Sequence, residues 1–553
     1  MENKPQWIAE VYKIIGGQDH LGLGSVSSDQ ILENLTPGII ALSPHPRYCT
    51  FYTFLLDEFW RRNLNRSDST FIKFFRPREF IFSVGANLCS HPEHAYMHSI
   101  MGGLKTAPLA KKRQEFYKTD YNYIKNSLGG YGLYYRAVIR RLGWIVPSGP
   151  PPLPPVDAPT PEGKKAAEMF RETIKDTEYY KNYFDENVID IPLNVIEEYI
   201  CKACLCQLQV PDSMERNYAL YYFIDKNGDE EANSRRKTFE LFLDMAKQIK
   251  GSEIDDDIFR QLLYYGSTKN GLEYKPCKRA YDTYLKWRLY QAREYYGFAL
   301  NSMWYYFCNW GIKNSSFLPI EMEKFWNHVL NELSFKKFSE LLDITVPNIN
   351  LNSKYSEIFD WIREIINYRG NFDEECKITS AINEYQLFSL SRTNSYSLEI
   401  MVLGMLIILS IIYLRFENLT KGIKNSWFIS EMGGYDRLSL DYFIKSMKRK
   451  LKTSNTPIIE IIKWIFLDFV IDQHLKIASN KLPVNTFRFL KEGNKIIFFD
   501  IKNSRPGFNT SRFEAISTMA HELGLCSNFR SKQRSIKTDG IKIFNGELPQ
   551  WNF

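Results

Sequence analysis

"AYDTYLKWRLYQAREYYGFALNSMWYYF", residues 280–307, is the longest stretch with one clear period. Tyr281, Tyr284, Leu285, Leu289 and Ala292 recur at the three-to-four spacing that places them on one face of an α-helix. The segments around it repeat the pattern. "SRRKTFELFLDMAKQIK" (234–250) and "EMEKFWNHVLNELSFKKFSELL" (321–342) read as further helices joined by short polar turns, with no repeat of fixed period. The expected class is therefore mainly α. At 553 residues the chain exceeds one compact core, and about two to four domains are expected.

Closer to the N-terminus, Trp7, Ile8, Val11, Tyr12 and Ile15 suggest a short amphipathic helix. Gly22 and Gly24 lack both a preceding strand and a following Lys-Ser/Thr pair, so a turn capped by Ser27, Ser28 or Asp29 fits better than a phosphate loop. "HPRYCTFYTFLLDEFWRR" (45–62) and "YGLYYRAVIRRLGW" (131–144) are aromatic helices carrying arginines. Then "PSGPPPLPPVDAPTP" (147–161) places eight prolines in fifteen residues, which excludes helix and interior strand and reads as an extended linker or strap. Thr160 as cap and Pro161 at the first helical position restart the helical pattern. The expected division is a basic helical domain over 1–146, the proline run over 147–161, a helical middle over 162–483 and a basic α+β module over 484–553.

In that last block, "TFRFLKEGNKIIFFDIK" reads as a hairpin turning at Glu492-Gly493-Asn494. "TSRFEAISTMAHELGL" reads as a helix with a Ser511/Glu514 capping box and Gly524 at its C-terminal end. "IKTDGIKIF" reads as a second hairpin turning at Asp539-Gly540. A helix followed by a basic two-stranded wing resembles a winged-helix-like module in element order.

Charge is segregated. Residues 1–146 carry 18 Lys and Arg against 12 Asp and Glu, and residues 441–553 carry 19 against 10. Against a net charge of +7, the middle is acidic. Basic ends suit a polyanion, DNA or RNA, with Arg61, Arg62, Arg136, Arg140, Arg141, Arg530, Lys532 and Arg534 as candidate contacts. Solvated surface and pairing between domains account for the same pattern. Nine cysteines, an odd number, and no signal peptide point to reduced thiols in a cytoplasm. The uncharged stretch Ile400 to Leu414 is 15 residues long, short of the roughly 20 that span a bilayer, and reads as a buried helix without membrane contact.

The densest chemistry lies in "CSHPEHAYMH" (89–98). With a helix starting at Pro92, His94 and His98 stand one turn apart, and His91 and Cys89 approach from the N-terminal side. Cys89, His91, His94 and His98 form a donor set acceptable to zinc, while a helix-start patch explains the same residues. Glu93 precedes His94 instead of following the first histidine, so no HExxH protease motif is present. Cys201, Cys204 and Cys206 offer a second thiol cluster, with Cys277 a distant fourth ligand; on an amphipathic helix they read as core cysteines. "DKNGDEE" (225–231) fails the calcium-loop spacing, and Asp500 with Lys502 lacks the further carboxylates of a nuclease site.

These features suggest an intracellular, nucleic-acid-associated scaffold or accessory subunit working with a protein partner in a larger assembly, of the kind found in bacterial phage defence. The alternatives are a metal-dependent enzyme centred on His91, His94 and His98, and an interaction subunit that binds no nucleic acid.

Overall fold

The computed structural model describes residues 19–120, 122–185, 187, 189–211, 213–315, 318–418, 436–452, 455–499, 501–551 and 553. The expected N-terminal helix at residues 7–15 and Asp500 lie outside the described residues. The protein is mostly helical, and three small antiparallel sheets complete the described secondary structure. Its chain divides into two compact units, each assembled from separate stretches of sequence.

The first unit comprises Met1–Leu32, Arg260–Glu273 and Leu285–Thr510. At its centre is the helical run Glu399–Phe416, buried along its whole length, so the apolar stretch spends its surface on protein neighbours. Arg415 at the end of this run is fully buried and bonds Glu384 at 2.6 Å; Tyr264 and Tyr265 donate to the same carboxylate. The expected hairpin is present as Phe489–Glu492 and Lys495–Phe498, with Gly493 at φ 60° in the turn. Ile320–Glu321 extends it to three strands. The helical pattern over 321–342 divides into Met322–Glu332 and Phe335–Leu342, because Ser334 caps the second helix by accepting from the Lys337 N–H.

The second unit comprises Glu33–Phe259, Tyr274–Tyr284 and Ser511–Phe553. Its aromatic helix Arg47–Arg61 buries nearly every side chain and packs on Pro161–Ile174 and Asp68–Leu88. Asp68–Leu88 in turn lies against Leu193–Ala203. Gly85 permits that approach, since a Cβ there would meet Ile196 and Ile200 at 3.1–3.2 Å. The proline run is a strap inside this unit. Ala158–Pro159 pairs with Ile145–Val146, and Thr160 caps the helix beginning at Pro161.

The C-terminal block departs from expectation. Residues up to Thr510 belong to the first unit and those from Ser511 to the second, so 484–553 does not form one module. The helix Phe513–Glu522 ends at Gly524 with φ 69°, as expected, but there is no capping box. Ser511 accepts from the Phe513 N–H, and Glu514 pairs with Arg530 instead. The second hairpin is a helix, Thr538–Asn545. Gly540 serves close packing there, not a turn: a Cβ would fall 2.0 Å from the Leu525 carbonyl oxygen. With its second pair of strands helical, the segment lacks the expected wing.

Candidate metal centre

The helices Asp68–Leu88 and Leu193–Ala203 lie side by side, and each ends on a cysteine at its C-cap, Cys89 and Cys204. Each is followed by a short 3₁₀ turn, Pro92–Tyr96 and Leu205–Gln209, and these turns touch. The first turn carries His94 and the second Cys206. Four donor atoms therefore converge: Cys89, Cys204 and Cys206 sulfurs and a ring nitrogen of His94, all within 4.8 Å of one another. Cys89 Sγ lies 3.7 Å from Cys206 Sγ, and Cys204 Sγ lies 3.2 Å from His94 Nδ1.

A tetrahedron with metal–sulfur bonds of about 2.3 Å and a metal–nitrogen bond of about 2.0 Å has edges of about 3.8 and 3.5 Å. The observed separations of 3.7 Å between sulfurs and 3.2 Å between sulfur and nitrogen lie slightly inside that size. The two helices end at Cys89 and Cys204, and the partial negative charge of a helix C-terminus favours a cation beside it. Hydrogen bonding from Cys204 and Cys206 holds the Cys89 thiol far below its ordinary pKa, while bonds to Cys206 and Cys89, together with burial, push Cys204 up. The cluster can hold a metal ion.

The supporting contacts are buried. Arg47 donates to the Cys204 carbonyl at 2.5 Å and to both Glu215 oxygens at 3.2 and 2.8 Å, fixing the backbone of one ligand. The other half of the site is pinned by the chain after His94. His45 bonds the His98 carbonyl with one ring nitrogen and Glu522 with the other, at 2.6 Å, and Tyr48 accepts from the Met101 N–H. Burial opposes charge on His45, but Glu522 and the His98 carbonyl outweigh it and hold its pKa above the ordinary value.

Compared with protein-family models, curated proteins and solved structures, the chain matches none.

Of the histidine-stretch residues, Cys89 and His94 enter the cluster and His91 and His98 do not. Pro92 does begin a helix, but it is a 3₁₀ turn ending at Tyr96, so His94 and His98 share no face. His91 caps that turn by accepting from the Glu93 N–H. The His98 ring lies beside His45 and 3.9 Å from Glu514. Glu93 turns to His521, at 3.1 Å. Cys204 and Cys206 are buried, as core cysteines would be, yet their sulfurs complete the donor set. Cys201 is exposed, and Cys277 lies outside the cluster with its N–H on Asp244. The legible signal for the missing half was the pairing of two incomplete motifs, Cys-x4-His and Cys-x-Cys, each supplying two ligands.

Most of the candidate nucleic-acid contacts have internal partners. Arg61 pairs with Asp57 and Glu168, Arg62 with Glu58 and Asp185, Arg136 with Asp157, and Arg141 with Glu33 and Glu231. Arg530 reaches Glu514 at 3.2 Å, and Arg534 is buried on the carbonyls of Phe529, Ser531 and Ile249. Arg140 and Lys532 are exposed.

Proposed function

We propose that Cys89, His94, Cys204 and Cys206 hold one zinc ion, and that the protein is a zinc-stapled, non-catalytic helical scaffold. The convergence of four donor atoms within 4.8 Å carries this reading. Three thiolates and an imidazole are soft donors that suit zinc over magnesium, calcium or manganese. Four protein ligands also complete a tetrahedral shell, whereas a catalytic zinc keeps one position for water or substrate. The ion's work is then to tie the ends of two helices that are far apart in sequence. The test is metal content and X-ray absorption on protein purified without added metal. One zinc per chain in a shell of three sulfurs and one nitrogen is expected. Metal-free protein would refute the site, and an oxygen in place of a protein ligand would return the enzyme reading.

A second reading concerns what the scaffold carries. The excess of 19 basic over 10 acidic residues across 441–553 supports association with DNA or RNA as an accessory subunit of a larger assembly. Mobility shifts that weaken steeply with added salt are expected of it, and salt-insensitive or absent binding speaks against it.

A further inference from the structure

A cleft of about 470 Å³ in the first unit lies beside the C-terminal end of the long helix Tyr281–Ser315. That helix contributes Tyr306, Trp310 and Lys313 at helical spacing, with Asn309 and Asn314 alongside. His328 from the helix Met322–Glu332 and Tyr396 from the loop before Glu399 complete the lining. Four aromatic rings therefore border one small space.

The rings are ordered. Tyr306 bonds His328 Nε2 at 2.9 Å, and the Tyr306 and His328 rings are nearly parallel, 10° apart. Trp310 stacks against the same imidazole at 5.7 Å and 27°. Tyr396 is 68 % exposed, an unusual position for so large a ring, and lies 6.4 Å from Tyr305.

The polar groups are also specific. Asn309 and Asn314 each spend an amide N–H on a helix carbonyl, Tyr305 and Trp310 respectively, which leaves the amide oxygens as acceptors. Lys313 supplies a cation in the lining, and the Arg505 guanidinium lies against the Tyr305 hydroxyl. Burial lowers the pKa of His328; the Glu332 and Glu399 carboxylates oppose that shift, and Lys313 adds to it. Flat rings, amide acceptors and cations at the margin match a planar nitrogenous base joined to a phosphate. A neutral sugar would use the rings and amides and leave the cations unmatched.

We infer that this cleft binds a nucleobase with its phosphate, with Tyr396 and Trp310 as stacking surfaces and Lys313 as the phosphate contact. This goes beyond the scaffold reading and does not depend on the metal. The base arrives as a free nucleotide or as an unpaired residue of a single strand, and binding measurements separate the two. The four ribonucleoside monophosphates are titrated by calorimetry, and short oligo-dT and oligo-U strands by fluorescence anisotropy, against the 553-residue chain as purified. Saturable mononucleotide binding identifies the free nucleotide. Binding of strands alone identifies the strand. In either case Tyr396→Ala weakens affinity about 5- to 150-fold, the range of one lost base–aromatic stack. Lys313→Ala weakens it and flattens its salt dependence. Tyr396 is exposed, so its truncation leaves the fold intact; circular dichroism matching wild type checks this. No binding by any probe at millimolar nucleotide overturns the inference. So does binding that survives both Tyr396→Ala and Trp310→Ala.

Discussion

Removing the metal should unfold the second unit at a lower temperature, by an amount set by how far free zinc exceeds its Kd and by the size of the unit. Two thiolates 3.7 Å apart repel by about 4 to 5 kcal/mol at an effective dielectric of about 20, and the third sulfur and both helix ends add to this. Without a cation the cluster must take up protons, and the ends of Asp68–Leu88 and Leu193–Ala203 lose their tie. With free zinc 100- to 1,000-fold above its Kd, binding stabilises the folded unit by about 2.7 to 4.1 kcal/mol. The unit has about 280 residues, and at about 2.1 cal/mol/K per residue this corresponds to a Tm change of about 5 to 7 °C. Differential scanning calorimetry before and after chelator treatment, then after zinc addition, measures it. Cys204→Ser should melt at the chelated temperature and respond no further to chelator. Cys201→Ser, at an exposed thiol outside the cluster, should melt as wild type does. An unchanged Tm on chelation, or an equal chelator response in Cys204→Ser, would refute the argument.

Within the histidine stretch, His91→Ala with His98→Ala should retain the full metal content, while His94→Ala loses it, as elemental analysis would report. Arg415→Met should cost about 3–5 kcal/mol in urea unfolding, because it leaves the buried Glu384 carboxylate without its counter-charge; adding Glu384→Leu should recover much of that loss, and no recovery would rule out the buried charge as the cause. Acid should weaken the first unit. Burial lowers His20 to about 3 and His474 to about 4, and nearby Arg488 and Lys481 push the same way. Neutral His474 accepts from the Arg488 N–H at Nε2 and meets the His20 carbonyl at Nδ1, so protonation breaks a bond. The unfolded chain takes up protons first as pH falls below about 6.5, so stability is complete above that value and falls toward pH 4. About 2 kcal/mol per histidine should be gone by pH 5, and an unfolding free energy unchanged between pH 7 and 5 would contradict this.

The helices at 47–61, 230–248 and 281–315 were legible because a buried helical face imposes a three-to-four spacing that survives in any sequence context. So were the Thr160-Pro161 start and the hairpin at Gly493, where the local backbone demands particular residues. "IKTDGIKIF" misled because Asp-Gly between apolar residues satisfies a tight turn as well as a helix whose glycine packs on a neighbouring carbonyl. Only the Leu525 backbone, eleven or more residues upstream, distinguishes the two.

For the candidate site, local sequence determined two incomplete donor pairs, Cys89 with His94 and Cys204 with Cys206, while the closing of a helix at each first cysteine appears only in the structure. It also determined that Glu93 could not serve an HExxH motif. The tertiary structure decided which half-sites meet, since Gly85 lets two helices approach until Cys89 and Cys204 finish at one level across more than a hundred residues of chain. It also decided that His94 belongs to the cluster and His98 does not, because the helix from Pro92 is wound as a 3₁₀ turn and ends at Tyr96. Periodicity and capping are written within a few residues; the convergence of four ligand atoms depends on how distant helices pack, and no local pattern records that.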